Sequence, residues 1–263
     1  MRYVRIFLLN FQYVFERRGR SFVWFLVSFI NPLILLFYWR GALQTNSIKG
    51  WSLSSVSSYY FLLIVAAAML MSHIEEDVSD EDINDGQLVK YIIKPFSYFW
   101  YNFIREVPYR LLQGSFGIVS CFIFFLLFGS FFQLTSSFYI LSLSVIVFVL
   151  AYILSFTYKM VLGIMAFWLI DARGFYQLVE VLTIVFAGYI LPLELMPSSL
   201  ESISKILPFA YMIYYPVIVL QGKMPANFII QIIIAQVMWI GIFGLLYKIL
   251  WFRGIRKFTG VGQ

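Results

Sequence analysis

Long apolar stretches separated by short polar breaks dominate this chain, and most reach the roughly 20 residues a helix needs to cross a bilayer. The first 18 residues differ. At 100° per residue, Val4, Phe7, Leu8, Phe11, Val14 and Phe15 share one face, with Arg2, Arg5, Gln12 and Glu16 opposite. That pattern predicts a helix lying in the membrane interface, its cations near anionic headgroups. Spans follow at about Ser21–Trp39, with Pro32 placed to kink it, and at Val56–His73, where Ala66, Ala67 and Ala68 invite close helix approach. A third span is expected from Pro108, a good first-turn residue, to about Gly129, before an outer turn at Phe131–Ser137. The fourth starts at Phe138. Apolar character then persists to Ile170, roughly 50 Å of helix, so the span is ended near Tyr158. Met160–Ile170 is assigned to the inner interface or to an overhang. The fifth and sixth spans are about Phe175–Leu191 and Asn227–Trp251.

Two segments break this rhythm. Pro192, Pro197, Pro208 and Pro216 cut Leu191–Gly222 into pieces of about ten residues, each too short to cross. A short helix Pro197–Leu207 and an aromatic piece Phe209–Leu220 are predicted, dipping in from the outer side as re-entrant helices shielded by protein. The second segment, Ser79–Phe96, is acidic in its first half (Asp80, Glu81, Asp82, Asp85). Its second half is basic and apolar, with Lys90 and Lys94 around Tyr91, Ile92 and Ile93. It reads as a short amphipathic helix presenting Ile83, Leu88 and Ile92 outward.

Composition fixes the class. With 62% hydrophobic and only 12% charged residues, the chain is a polytopic all-α membrane protein of six spans. It is expected to form one domain over residues 1–263, with the interfacial helix at 1–20, the cytoplasmic loop at 74–98 and the outer region at 192–224. If the N-terminus is inside, inner segments hold 15 of the 19 Lys and Arg residues, which places both termini and the Ser79–Phe96 loop in the cytoplasm. The same asymmetry explains the net charge of +6 without nucleic acid. The lone Cys121 excludes a disulfide framework, and no cleavage site follows the first apolar run, so no signal peptide is expected.

Candidate chemistry is sparse. There is no phosphate-binding G-x-x-x-x-G-K-[ST] loop, and one histidine, His73, leaves no metal cluster or Ser-His-Asp triad. The acidic run from Glu75 to Asp85 lacks calcium-loop spacing. Glu106 and Arg110 stand four apart in the favoured ion-pair order. Glu180 is the ionisable residue best placed inside a span; Gln177 and inner-end cations could satisfy it, which makes it structural, while a proton site of an ion-coupled carrier is the alternative. A lipid-processing enzyme would need more converging polar groups than the sequence offers.

Two stretches resemble a known family. Ile83-Asn84-Asp85-Gly86-Gln87-Leu88 through Lys94-Pro95-Phe96 is similar to the loop after the second span of bacterial type-2 ATP-binding cassette (ABC) permeases. Ala187-Gly188-Tyr189-Ile190-Leu191-Pro192-Leu193, continuing through Met196-Pro197, Leu207-Pro208-Phe209, Pro216 and Gly222, looks like that family's run before the last span. Ala166-Phe167-Trp168 followed by Asp171 resembles a segment of one branch. The resemblance implies the membrane subunit of an exporter in the bacterial inner membrane, paired with an identical or sister permease. It has no catalytic residue and binds no cofactor itself, ATP and Mg belonging to a separate ATPase subunit. In that scheme Ile83, Leu88 and Ile92 dock on the ATPase, Asn84 lies beside them, Asp85 and Lys90 set register, and Gly86 lets the chain turn.

Overall fold

A computed structural model describes residues 2–16, 18–27, 30–42, 47–128, 133–169 and 172–258. Arg17, Gly129, Phe131, Ile170 and Asp171, used in the sequence reading, lie outside the described residues, as does the Pro32 side chain. The described residues form helices α1 (Arg2–Glu16), α2 (Arg18–Val27), α3 (Ile30–Ala42) and α4 (Leu53–Leu70). A short α5 (Ile74–Glu76), a π-helical turn (Asp77–Asn84) and α6 (Val89–Ile92) lead into α7 (Tyr98–Phe128), α8 (Phe138–Ile164) and α9 (Arg173–Phe186). The short helices α10 (Ser198–Ile206), α11 (Pro208–Met212) and α12 (Tyr214–Leu220) precede the long α13 (Ala226–Gly254). Named strands are absent among them.

Among the described residues, four helices are long and apolar enough to cross a membrane: Leu53–Asn84, Tyr98–Leu126, Phe138–Phe167 and Ala226–Gly254. In the first expected span the described helices α2 and α3 flank residues 28–29, which lie outside the described residues, and α9 has 14 residues, about 21 Å of helix. Helix α1 runs alongside α7. Phe7 and Phe11 are partly covered and Val14 is buried, while Val4, Leu8 and Phe15 stay exposed on the face that a membrane interface would cover.

Helix α7 corrects the reading of Pro108. The helix begins ten residues earlier, at Tyr98, and the proline sits inside it. The polar turn before Pro108 does not end the helix because its charges are paired. Arg105 binds Asp77, and Glu106 binds Arg110. Helix α8 likewise runs past Tyr158 to Ile164, and Lys159 to Ile164 are all buried, so the overhang is packed structure.

On the other side of the bundle the prolines act as helix starters. Pro197 caps α10, and Pro208 is the first residue of α11. The expected aromatic piece is two helices, because Pro216 offers no N–H to Met212 and the chain breaks at Ile213. Helix α12 lies against α4 and α8 with Tyr214, Val217, Ile218 and Val219 buried. Gly188, with φ +81°, ends α9 in the left-handed region, and a Cβ there would lie 2.7 Å from the Tyr59 hydroxyl. That hydroxyl donates to the Gly188 carbonyl at 2.6 Å. The glycine of the Gly188–Pro192 motif is therefore fixed by geometry as well as by packing. Nearby, Lys223 lies over the Trp51 ring, and burial pulls its pKa down to about 8 against the opposing pull of Glu194.

Candidate functional site: the clamped lever and the cavity beside it

The segment after α4, called the lever below for its shape alone, is fixed to the bundle by its acids. Helix α4 ends at Leu70, and Ser72 restarts the chain by accepting from Ile74 N–H at 3.1 Å. From Asp77 the backbone widens into π-helical bonding, as in Asp85 N–H to Asp80 C=O at 3.0 Å. The wide turn alters which side chains point inward. Glu75 forms a buried ion pair with Lys159 of α8, Asp77 pairs with Arg105 of α7 at 2.7 Å, and Asp82 accepts from the Tyr98 hydroxyl at 2.5 Å. Arg173, at the start of α9, stands 3.9 Å from Asp80. Val78 rests on Gly163 so closely that a Cβ there would come within 2.8 Å of it.

This arrangement corrects the docking face read from the sequence. Ile83 and Leu88 are buried in a core with Ile74, Val78, Phe156, Met160 and Ile164, so they hold the lever to the protein and do not face outward. Asn84 is half-buried. The turn at Gly86 is as expected, with φ +73°. Beyond it Val89, Ile92 and Ile93 are exposed, and Ile93 is 77% accessible. Asp85, Lys90 and Lys94 are exposed around them, Lys90 donating to Gln87 at 2.8 Å. The exposed tip is therefore Val89–Lys94, an apolar patch ringed by charges.

Beside the lever lies a cavity of about 1070 Å³ bounded by α2, α3, α4, α7 and α9. Glu106 and Arg110 lie on its wall, largely buried, with Arg110 Nε donating at 2.7 Å and the Ser72 hydroxyl at 3.1 Å to the same carboxylate oxygen. Arg110 also reaches the Ala68 carbonyl at 3.4 Å. Gln113 donates to the Ser21 carbonyl at 3.2 Å, tying α7 to α2. His73 lines the cavity. Glu180 also lines it, exposed on α9, with no hydrogen bond or ion pair to Gln177 or to a cation among the described residues.

At the opposite end of α4, Trp39 donates to the Tyr60 hydroxyl at 3.0 Å, and Tyr60 donates to the Ile190 carbonyl at 2.8 Å. This chain joins α3, α4 and the Gly188–Pro192 turn. Pro192, Pro197, Pro208 and Pro216 lie in the segments that follow, away from the lever. The sequence reading missed the Glu75–Lys159 pair. Its one signal was a lone lysine in a 33-residue apolar run, from Phe138 to Ile170. No group of three metal-ligating side chains occurs among the described residues.

Among curated proteins no sequence matches this chain. A family model described as ABC-2 family transporter protein matches residues 22–262, from the second turn of α2 through the lever, the cavity walls and the last helix. The chain belongs to the ABC-2 family of transporters, and it is a transmembrane permease.

Proposed function

We propose that this chain is the membrane subunit of an ABC exporter, crossing the bacterial inner membrane six times with both termini in the cytoplasm. It pairs with a second permease, identical or related, and is driven by a separate ATPase that binds ATP and Mg. The segments at 1–20, 74–98 and 192–224 serve as interfacial anchor, coupling loop and outer re-entrant cap within one domain. In this reading the ATPase engages Val89, Ile92 and Ile93, with Asp85, Lys90 and Lys94 setting register. The push passes through the lever into α7 and α8.

The observation that carries the reading is the clamp. A loop that only joined two spans would not need its acids paired with cations 28 and 84 residues away. Removing one partner of a buried ion pair is costly, so such a joint resists local yielding under load. A mechanical input at the exposed tip then displaces packed helices as rigid bodies.

The test is co-expression with the ATPase. Ile93→Asp is expected to lower co-purification and transport while the chain stays folded. Undiminished transport with full ATPase binding would refute docking at this tip. A proton-coupled carrier using Glu180 is the competing reading, favoured by that carboxylate's lack of a counter-ion. It predicts transport by the chain alone in a proton gradient.

A further inference from the structure

A second cavity, of about 300 Å³, shares no lining residue with the first. It lies between the tip, the start of α7 and the end of α13, and Tyr91, Phe96, Tyr98, Phe99, Tyr247 and Trp251 make most of its surface. The rings support one another: Tyr91 stands edge-on to Tyr98, and Tyr98 stacks on Trp251 with centroids 4.9 Å apart. Its depth follows from α13. Past Trp251 that helix carries Arg253, and Arg256 and Lys257 come directly after it, so the hydrocarbon ends near Trp251 and the cavity lies at headgroup level.

Three cations stand around it. Lys94 holds its ammonium 5.6 Å from the centre of the Tyr91 ring and 5.8 Å from that of Phe96. Arg2 reaches the Pro95 carbonyl at 3.4 Å, next to Phe96 in the chain. On the α13 wall Lys248 is exposed and falls about 20° from Ile255 around the helix, hence on the side that lines the cavity. None of the three forms an ion pair among the described residues. Asp82 is the acid whose field reaches Tyr91 and Tyr98; it is buried, its carboxylate is held by the Tyr98 hydroxyl, and Arg105 opposes it.

We infer that this cavity holds the headgroup of one anionic phospholipid, its phosphate taken by Lys94 and Lys248 and its first acyl carbons laid on the aromatic floor. Unpaired cations at headgroup depth, beside a pocket between helices, attract a lipid of net negative charge. A zwitterionic lipid brings its own cation, which the three around the cavity repel. Tyr and Trp rings supply an apolar face with a polar edge, the surface that suits the boundary between headgroup and acyl chain. A volume of about 300 Å³ stands at the bottom of the range for small-molecule sites, so the cavity takes a headgroup and not a drug-sized molecule. Ile92 and Lys94 belong to the exposed tip as well, so the bound lipid ties the tip to the end of α13. The inference needs only that this end of α13 meets a membrane surface, and it does not rest on the ATPase-driven reading.

The test is native mass spectrometry of the purified chain in a neutral detergent, titrated with phosphatidylglycerol and with phosphatidylcholine of the same acyl chains. One phosphatidylglycerol per chain is expected to bind about tenfold more tightly than phosphatidylcholine. Lys94→Gln combined with Lys248→Gln is expected to lose that preference while phosphatidylcholine binding stays unchanged. Ser97→Trp, which fills the cavity from the start of α7, is expected to lose it too. Arg253→Gln combined with Lys257→Gln removes as many charges from the same end of the protein but none from the cavity, since Lys257 lies over the Trp168 ring, and is expected to keep the preference. Excess glycerol 3-phosphate is expected to leave the lipid in place. Equal affinity for the two lipids in wild type, an undiminished preference in the Lys94 and Lys248 variant, or an equal loss in the Arg253 and Lys257 variant would overturn the inference. Displacement by glycerol 3-phosphate would also overturn it, in favour of a site for free phosphate esters.

Discussion

The two ends of α4 are held by different chemistry. At the Tyr59 end the fastenings are mostly neutral. Tyr59 and Tyr60 donate to backbone carbonyls, Trp39 donates to Tyr60, and Gln221 donates to the Ser55 carbonyl at 3.0 Å. At the lever end they are ionic: Glu75 with Lys159, Asp77 with Arg105, Glu106 with Arg110. Neutral hydroxyl–carbonyl bonds contribute about 1 kcal/mol each and break one at a time. A buried ion pair contributes little net stability when intact, yet costs several kcal/mol when one partner is removed. The first kind of joint lets short helices adjust. The second kind suits a part that must not yield, which is what a lever needs.

This contrast can be broken at either end. The largest effect belongs to Lys159→Ala, which strands Glu75 beside an apolar core. About 3–5 kcal/mol of destabilisation is expected, read as a large fall in melting temperature in nanodiscs. The paired change Glu75→Gln with Lys159→Met should recover most of that loss. If Lys159→Ala melted like wild type, the clamp would be of no consequence. Gly188→Ala comes next, at about 3 kcal/mol, since it combines a left-handed residue with displacement of the Tyr59 hydroxyl. Gly174→Ala, in open space on α9, is the control and should be neutral or slightly stabilising. Tyr60→Phe is smaller, about 1–2 kcal/mol, because it leaves the Trp39 N–H and the Ile190 carbonyl without their partner. Differential scanning of these variants in one lipid background ranks them.

The smallest effect is a pH dependence at Lys223. Its pKa in the fold, about 8, lies below its ordinary value, so folding favours the neutral amine. The stability it contributes is fully present above pH 10.5 and is lost as pH falls through about 8. Wild type should therefore gain stability relative to Lys223→Gln as pH rises from 8 to 10.5. A difference that stayed flat across that window would show that the aromatic face of Trp51 and Glu194 hold the charge in place.

Much of the architecture was legible in the sequence because it rests on local signals. The facial pattern of α1, the helix start at Pro197 and the turn at Gly86 all follow from spacing or from a residue's own backbone preference. Four things were not legible, each for a physical reason. Ile83 and Leu88 were assigned to the outer face because a 100° step assumes α-helical winding, and the π-helical turn from Asp77 changes the phase. The pairing of the lever's acids was not visible because their partners, Arg105 and Lys159, are distant in sequence. Pro108 looked like a helix start because proline suits a first turn, whereas the helix begins at Tyr98 and carries the proline inside it. Glu180 was assigned neighbours by proximity along α9, and proximity did not supply a hydrogen bond.

The account's central claim is that the exposed tip and α8 move as one body. Spin labels at Ile93 and Phe138, and in parallel at Ile93 and Phe37, report on it, because all three positions are highly exposed. In the complex with its ATPase, ATP binding should leave the Ile93–Phe138 distance unchanged while the Ile93–Phe37 distance shifts by several ångströms. A changing Ile93–Phe138 distance beside a constant Ile93–Phe37 distance would contradict it.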